Sequence, residues 1–233
     1  MNVEIWSDVV CPFCYIGKRR FEKALEAFPG KDKVTVTWKS YQLDPDMQPK
    51  PGGQSVHAYL AQRKGVSEAE GKQMNDYMAN MAKEVGLDYD FDKAIINNTL
   101  NAHRLIHFAK EHGQQDAMKE RLFAAYYTQG QDIGDLETLA KLGEEVGLDG
   151  AAIKQMLASD DFKEAVQQDI YEAQQVGVRG VPFYVFNRKY AVSGAQPTEV
   201  FQDVLNKVWE EEKPLIMTEG TAGGSCSVDG VCD

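Results

Sequence analysis

The sequence predicts an α/β fold in which a helical segment is inserted into a small sheet domain and a Gly- and Ser-rich tail follows. Three observations carry this reading. Strand patterns lie near the two ends of the 233-residue chain. The stretch between them is patterned as helix. A Cys-x-x-Cys motif, Cys11-Pro12-Phe13-Cys14, stands where the first strand gives way to the first helix.

The elements follow in order. Val3 and Ile5 open a short β-type run. From Phe13 to Ala27 the apolar side of a helix is formed by Phe13, Ile16, Phe21, Ala24 and Leu25, with Phe28 beyond. Pro29-Gly30 ends it. Val34, Val36 and Trp38 alternate with Thr35, Thr37 and Lys39, a period-two strand. Asp44 to Gly53, with Pro45, Pro49, Pro51, Gly52 and Gly53, reads as a linker.

Beyond it the pattern is helical to about residue 165. Met74, Tyr77, Met78, Met81 and Val85 share one face, which predicts a core stripe. Leu100, Leu105 and Phe108 form another, as do Met118, Leu122, Phe123 and Tyr126, and Leu136, Leu139, Leu142 and Val146. The string Glu-Val-Gly-Leu-Asp occurs at Glu84–Asp88 and again at Glu145–Asp149. Each copy reads as a helix ending, with Gly past the last turn and Leu packing back.

Strand character then returns. A helix from about Phe162 to Val176 leads into Gly177-Val178-Arg179-Gly180-Val181-Pro182. Phe183 to Phe186 reads as a buried strand, Asn187-Arg188 as a turn, and Tyr190 to Val192 as its partner strand. Pro197-Thr198-Glu199 opens a last helix through Trp209. From about Glu212 the chain is poor in apolar residues and reads as a mobile tail carrying Cys226 and Cys232.

Composition narrows the function. Apolar residues make up 43% and charged residues 26%, so a core forms without covalent staples. The net charge of −11 argues against nucleic acid and anionic membranes as partners. No signal-like segment or long apolar run is present, which points to the cytoplasm. There, paired cysteines are more often catalytic, sensing or metal-binding than structural.

A thiol attacks a disulfide as its thiolate, and a helix N-terminus favours the anion. Cys11 is therefore expected to ionise readily and attack, with Cys14 resolving. Pro12 suits the first turn, where no N–H is needed. No metal is expected, because zinc sites commonly use four ligands and the other cysteines sit apart as Cys-x5-Cys. Asp8 stands either as a proton acceptor that tunes Cys11 or as a turn carboxylate. His57, His107 and His112 have no partner legible in the sequence.

The order of elements, with Ser7-Asp8-Val9-Val10-Cys11-Pro12-Phe13-Cys14-Tyr15-Ile16-Gly17 and Gly180-Val181-Pro182, resembles the DsbA-like branch of the thioredoxin superfamily. The first motif, and Asn97 to Arg104, look like the FrnE-type subgroup, related to 2-hydroxychromene-2-carboxylate isomerases and kappa-class glutathione transferases. The likeness spans residues 1 to about 211. It implies a thioredoxin-like domain from residues 1–52 and 166–211, a helical insertion at 53–165 and a tail at 212–233. It also implies a cis Pro182 beside the Cys-x-x-Cys helix, with Val181 contacting substrate through its backbone. Lacking an N–H, Pro182 is expected to leave that strand edge open to an extended partner. Arg179 and Phe13 join the substrate-facing set, Arg179 toward an acidic group of glutathione or a peptide. His103 and Arg104 are expected near the cleft as modulators.

The resemblance implies a thiol–disulfide oxidoreductase or isomerase acting on protein disulfides by a mixed disulfide at Cys11. No cofactor is expected to be held permanently. Glutathione or another thiol is the expected co-substrate, and cysteine-containing proteins or glutathione the expected partners. The alternative is a glutathione-dependent transferase or isomerase acting on small molecules. In those relatives serine typically stands in the place of Cys11, so two cysteines favour redox work. Cys226 and Cys232 form a candidate second redox pair. The chain from Pro214 to Cys226 spans at most about 40 Å, enough to reach Cys11.

Overall fold

A computed structural model describes residues 1–48 and 53–212. Cys226 and Cys232 lie outside the described residues. So do most of the predicted tail and, in the linker, Pro49, Pro51 and Gly52.

A four-stranded sheet has the order β2-β1-β3-β4, with β1 at Asn2–Ser7, β2 at Thr35–Ser40, β3 at Phe183–Phe186 and β4 at Tyr190–Ser193. Strand β1 runs parallel to β2 and antiparallel to β3, and β3 pairs antiparallel with β4. The parallel pair is joined by helix α1, Pro12–Glu26. The hairpin closes through Asn187 and Arg188, whose φ angles of 48° and 55° supply the paired left-handed residues that a two-residue turn needs.

Strand alternation sorts side chains to two faces. Val3, Ile5, Tyr184 and Phe186 meet α1 and the last helix α9, Thr198–Glu212. There Phe21 packs against Tyr184, Phe186 and Phe201. On the other face Trp6 and Val185 pack against Ala173 of helix α8, Lys163–Val176. The indole N–H of Trp6 donates to the Asp169 carbonyl at 2.9 Å.

Among the described residues six helices stand between β2 and α8: α2 (Val56–Lys64), α3 (Glu68–Lys83), α4 (Leu100–Glu111), α5 (Gln115–Tyr127), α6 (Leu136–Glu145) and α7 (Gly150–Ala158). The two Glu-Val-Gly-Leu-Asp endings have the expected form. Gly86 and Gly147 take φ of 78° and 85°, and the N–H groups of Leu87 and Leu148 bond back to Ala82 and Gly143. The methionine stripe divides: Met78 is buried and Met81 partly so, while Met74 is exposed.

Helix α5 ties the helical segment to the sheet and to α1. Gln115 pairs with both backbone groups of Trp38, accepting from its N–H at 3.1 Å and donating to its carbonyl at 2.9 Å. That occupies part of the open edge of β2. Glu120 accepts hydrogen bonds from Tyr15 (2.6 Å) and Arg19, and forms an ion pair with Lys18 at 3.1 Å. Among the described residues no helix is long and apolar enough to cross a membrane.

Burial would push the Glu120 carboxyl up. The hydrogen bond from Arg19, the Lys18 charge and the Tyr15 hydroxyl outweigh it and hold the carboxyl at about 2. A depressed carboxyl contributes stability above its unfolded value of about 4.3, and that stability is lost as pH falls toward the folded value. E120Q is therefore expected to lower Tm by a constant margin above about pH 5, with the margin closing between about pH 4.3 and 2. A margin independent of pH in paired melting curves would show that the charge of Glu120 contributes nothing.

Candidate active site

Strand β1 delivers the chain through Ser7 and Asp8 to Cys11, the residue that caps α1. Cys11 has an extended backbone (φ −91°, ψ 110°) and no side-chain capping bond, and Pro12 opens the helix. Cys11 and Cys14 are both free thiols, 4% and 0% exposed. The Cys14 N–H bonds to the Cys11 carbonyl at 3.0 Å, which folds the two cysteines into one turn. Cys14 is the more deeply buried of the two.

The Val181-Pro182 peptide is cis, and the Cys11 thiol donates to the Val181 carbonyl at 3.4 Å. Gly17, one turn beyond Cys14, lets α1 lie this close to that loop. A Cβ at position 17 would stand 2.5 Å from the Tyr184 hydroxyl and 3.1 Å from Pro182 Cγ. The expectation of an open strand edge at Pro182 is corrected. Strand β3 lies between β1 and β4, and the Pro182 carbonyl accepts from Gly194 at 2.8 Å. The ladder from β1 ends at Phe183, so Gly180 and Val181, at the lip of the cleft, lie beyond it.

A cleft of about 1020 Å³ opens beside Cys11. It is lined by Cys11, Phe13 and Val181 together with Tyr59, Met74 and Tyr77 of α2 and α3. Phe13, Leu43, Met74 and Tyr77 are 41%, 40%, 42% and 62% exposed, a discontinuous apolar rim in contact with solvent. Arg179 is exposed and lies outside this lining.

Asp8 is fully buried. Its carboxylate accepts from the Leu43 N–H at 2.8 Å and meets His103 Nε2 at 3.1 Å. Burial pushes the Asp8 carboxyl up, but the hydrogen bond and charge of His103, the Leu43 N–H and the Lys119 charge together hold it below its usual value. Burial holds His103 below its ordinary value despite Asp8. Asp8 caps no helix.

Arg104 does not join the site. Its guanidinium donates to the carbonyls of Met156, Leu157, Ser159 and Asp161, at 2.6 to 3.2 Å, and closes the end of α7. A modulator role is corrected by this geometry: the guanidinium bonds only to Asn101 and to the chain around the end of α7, among the described residues. The other histidines also have partners: Asp92 and Asn75 for His57, Ser40 and Asp169 for His107, and the Phe108 carbonyl for His112.

The readily ionised Cys11 expected from the helix start is corrected. Its thiol lies well above the ordinary value. The hydrogen bond with Cys14 raises it most, then burial, then the charge of Cys14, and the Asp8 charge adds a smaller push. The Cys14 N–H pulls the other way. The two sulfurs titrate together, and burial opposes a second negative charge.

Two features of the site were missed in the sequence. Tyr89 stacks on Tyr127 at 4.3 Å and donates to the Pro12 carbonyl at 2.8 Å, holding the first turn of α1. Lys119 is buried beside the pair. Its signal was a lysine four residues before Phe123 and seven before Tyr126, on a helix face otherwise apolar.

A DsbA-like thioredoxin domain model matches residues 2–206, nearly the whole described fold. The chain belongs to the DsbA-like thioredoxin-domain family. A probable DsbA oxidoreductase from Streptomyces coelicolor is 38% identical with a TM-score of 0.86, covering 100% of this chain and 98% of that one. The uncharacterized protein YwbO of Bacillus subtilis is 30% identical over 210 residues, 88% of this chain and 96% of that protein. The cytosolic disulfide reductase DsbM of Pseudomonas aeruginosa, solved also with GSH, shares the fold at 17% identity. Its TM-score is 0.63, with coverage of 91% of this chain and 100% of that one. This DsbA-like chain is therefore an α/β protein of the thioredoxin/DsbA oxidoreductase class.

The Asp8 charge opposes thiolate formation at Cys11. In D8N the pH midpoint for iodoacetamide alkylation of the pair is expected to move down, by up to about one pH unit. A midpoint that stays put or rises, in a variant whose Tm shows it folded, would contradict that role.

Proposed function

We propose that this DsbA-like protein is a thiol–disulfide oxidoreductase or isomerase acting on protein disulfides, with Cys11 as nucleophile and Cys14 as resolving thiol. The observation that carries this reading is the pair itself: two free thiols within one turn, the outer one beside the cis Val181-Pro182 peptide and open to the cleft.

In the reductive direction the Cys11 thiolate attacks one sulfur of a substrate disulfide. The Cys11–substrate bond forms, the substrate S–S bond breaks, and its other sulfur leaves and takes up a proton. Cys14 then loses its proton and attacks Cys11. The Cys11–Cys14 bond forms and the first substrate sulfur leaves as a thiol. Two electrons and two protons pass from the pair to the substrate. The reverse sequence forms disulfides, and the direction follows from the potential of the pair against its surroundings.

Val181 supplies backbone groups beyond the end of the sheet to an extended substrate, and the apolar rim around Phe13 accommodates its side chains. Arg179 serves acidic substrate groups that approach from outside the cleft. Residues 1–52 and 166–211 carry the exchange, and 53–165 roof the cleft. Glutathione is the proposed small-molecule thiol, a reading supported by the DsbM structure solved with GSH. The proposed compartment is the cytoplasm. Cys226 and Cys232 act as a second pair that exchanges with Cys11–Cys14.

The test is a trap. C14S, mixed with reduced and unfolded ribonuclease activated as a mixed disulfide, is expected to accumulate a Cys11-linked adduct by mass mapping, and C11S none. The wild type is expected to catalyse insulin reduction. Adducts on neither variant would contradict the proposal. Glutathione conjugation to an electrophile that survives in C14S would establish the transferase alternative instead.

The tail has its own expected outcome. C226S/C232S should change turnover and the redox state of Cys11 at fixed glutathione potential. Unchanged values would remove the tail from the mechanism.

A further inference from the structure

Lys119 is 1% exposed on α5. Its Nζ has a single hydrogen bond, a long one of 3.5 Å to the Ser7 carbonyl. Beyond that it stands over the rings of Phe123 at 4.8 Å and Trp38 at 5.6 Å. Among the described residues it forms no ion pair. An ammonium carries three donors, and burying one without a carboxylate is costly.

The charges that face it come from three elements. Cys11, Cys14 and Asp8 do so from the junction of β1 and α1, Lys18 from α1, and His103 from α4. Asp8 already bonds to His103 and to the Leu43 N–H. Lys18 is neutralised by Glu22, Asp116 and Glu120. Burial holds His103 below its ordinary value. The Ser7 carbonyl that Lys119 bonds to lies on the strand that leads into Cys11, and of the groups that act on Lys119 the two sulfurs are the ones that become anionic during exchange.

We infer, on the basis of the thiol–disulfide reading above, that Lys119 is a positioning residue whose buried ammonium is the fixed counter-charge for the thiolate of the Cys11–Cys14 pair. It forms no bond to substrate and keeps its proton throughout. When Cys14 ionises to resolve the mixed disulfide, the new negative charge develops next to a cation already in place and already stripped of water. Nothing has to reorganise at that moment. The opposing Asp8 charge is weaker at the sulfurs because His103 and Leu43 are bonded to it. Burial brings Lys119 down to about 8 against the pull of Cys14, Asp8 and Cys11, so the cation predominates at pH 7.

Two experiments test this. The first follows thiolate absorbance against pH in wild type, K119M and K119R. K119M is expected to move the first thiolate midpoint up by about one pH unit, as loss of a nearby opposite charge does. Exchange with a small disulfide at pH 7 should slow several-fold, and K119R should restore both. Tm of K119M should be unchanged or raised, because an apolar side chain replaces an unpaired charge. A lower Tm with an unmoved midpoint would mean a merely structural role and overturn the inference.

The second needs no variant. The lysine side-chain carbon resonances of wild-type protein are titrated in the dithiol form and in the disulfide form made with diamide. By reciprocity, the disulfide, which has no thiolate, should let Lys119 titrate at lower pH than the dithiol. Equal midpoints in the two forms would overturn the inference whether or not the variants fold. Failure of the wild type to exchange with any disulfide, with the two Lys119 midpoints still apart, would count against the proposed function alone.

Discussion

In the proposed exchange a negative charge has to form on a buried sulfur, and the rest of the structure bears on that constraint. Both thiols are buried, so the usual solvation of a thiolate is absent. The start of α1 offers part of the replacement through its free N–H groups and the Cys14 amide. Lys119 and Asp8 contribute fixed charges of opposite sign. The pair that results has one thiol, that of Cys11, held well above its ordinary value.

A site of this kind works only if the first turn of α1 stays where it is. Three contacts hold it there. The cis Val181-Pro182 loop and Tyr184 press against one side, with room made by Gly17. Tyr89 bonds to the Pro12 carbonyl, and its ring belongs to a cluster with Tyr15, Phe91, Phe123 and Tyr127. Glu120 gathers Tyr15, Lys18 and Arg19 on the third side. Two of the three come from the helical segment between β2 and α8. That segment both lines the cleft and fixes α1 to the sheet.

What was legible in the sequence was local. Cys11-Pro12-Phe13-Cys14 marked the helix start because Pro belongs in a first turn. The two Glu-Val-Gly-Leu-Asp endings were legible because a glycine after a helical run has one common use. The Asn187-Arg188 turn followed from two flanking strand patterns. Val181-Pro182 was legible through resemblance alone, since nothing in the dipeptide itself selects a cis bond.

What was not legible depends on residues far apart in the chain. Arg104 looked like a neighbour of the cleft because it follows His103, but adjacent helix positions point about 100° apart. One meets Asp8 and the other the end of α7. Cys11 looked acidic because a helix start favours anions, but the effect of Cys14, Asp8 and burial needs the folded neighbourhood. The pairing of Lys39 and His107 with Asp169 joins three separate elements and left no mark in any one of them. The central claim is that Cys11 and Cys14 are one redox unit. The most direct measurement is equilibration in glutathione buffers of stepped potential, with mass mapping of each cysteine. The expected result is a single two-electron transition in which both thiols disappear together into a Cys11–Cys14 disulfide. Independent glutathionylation of the two cysteines, or no change in either across the accessible range, would contradict the account.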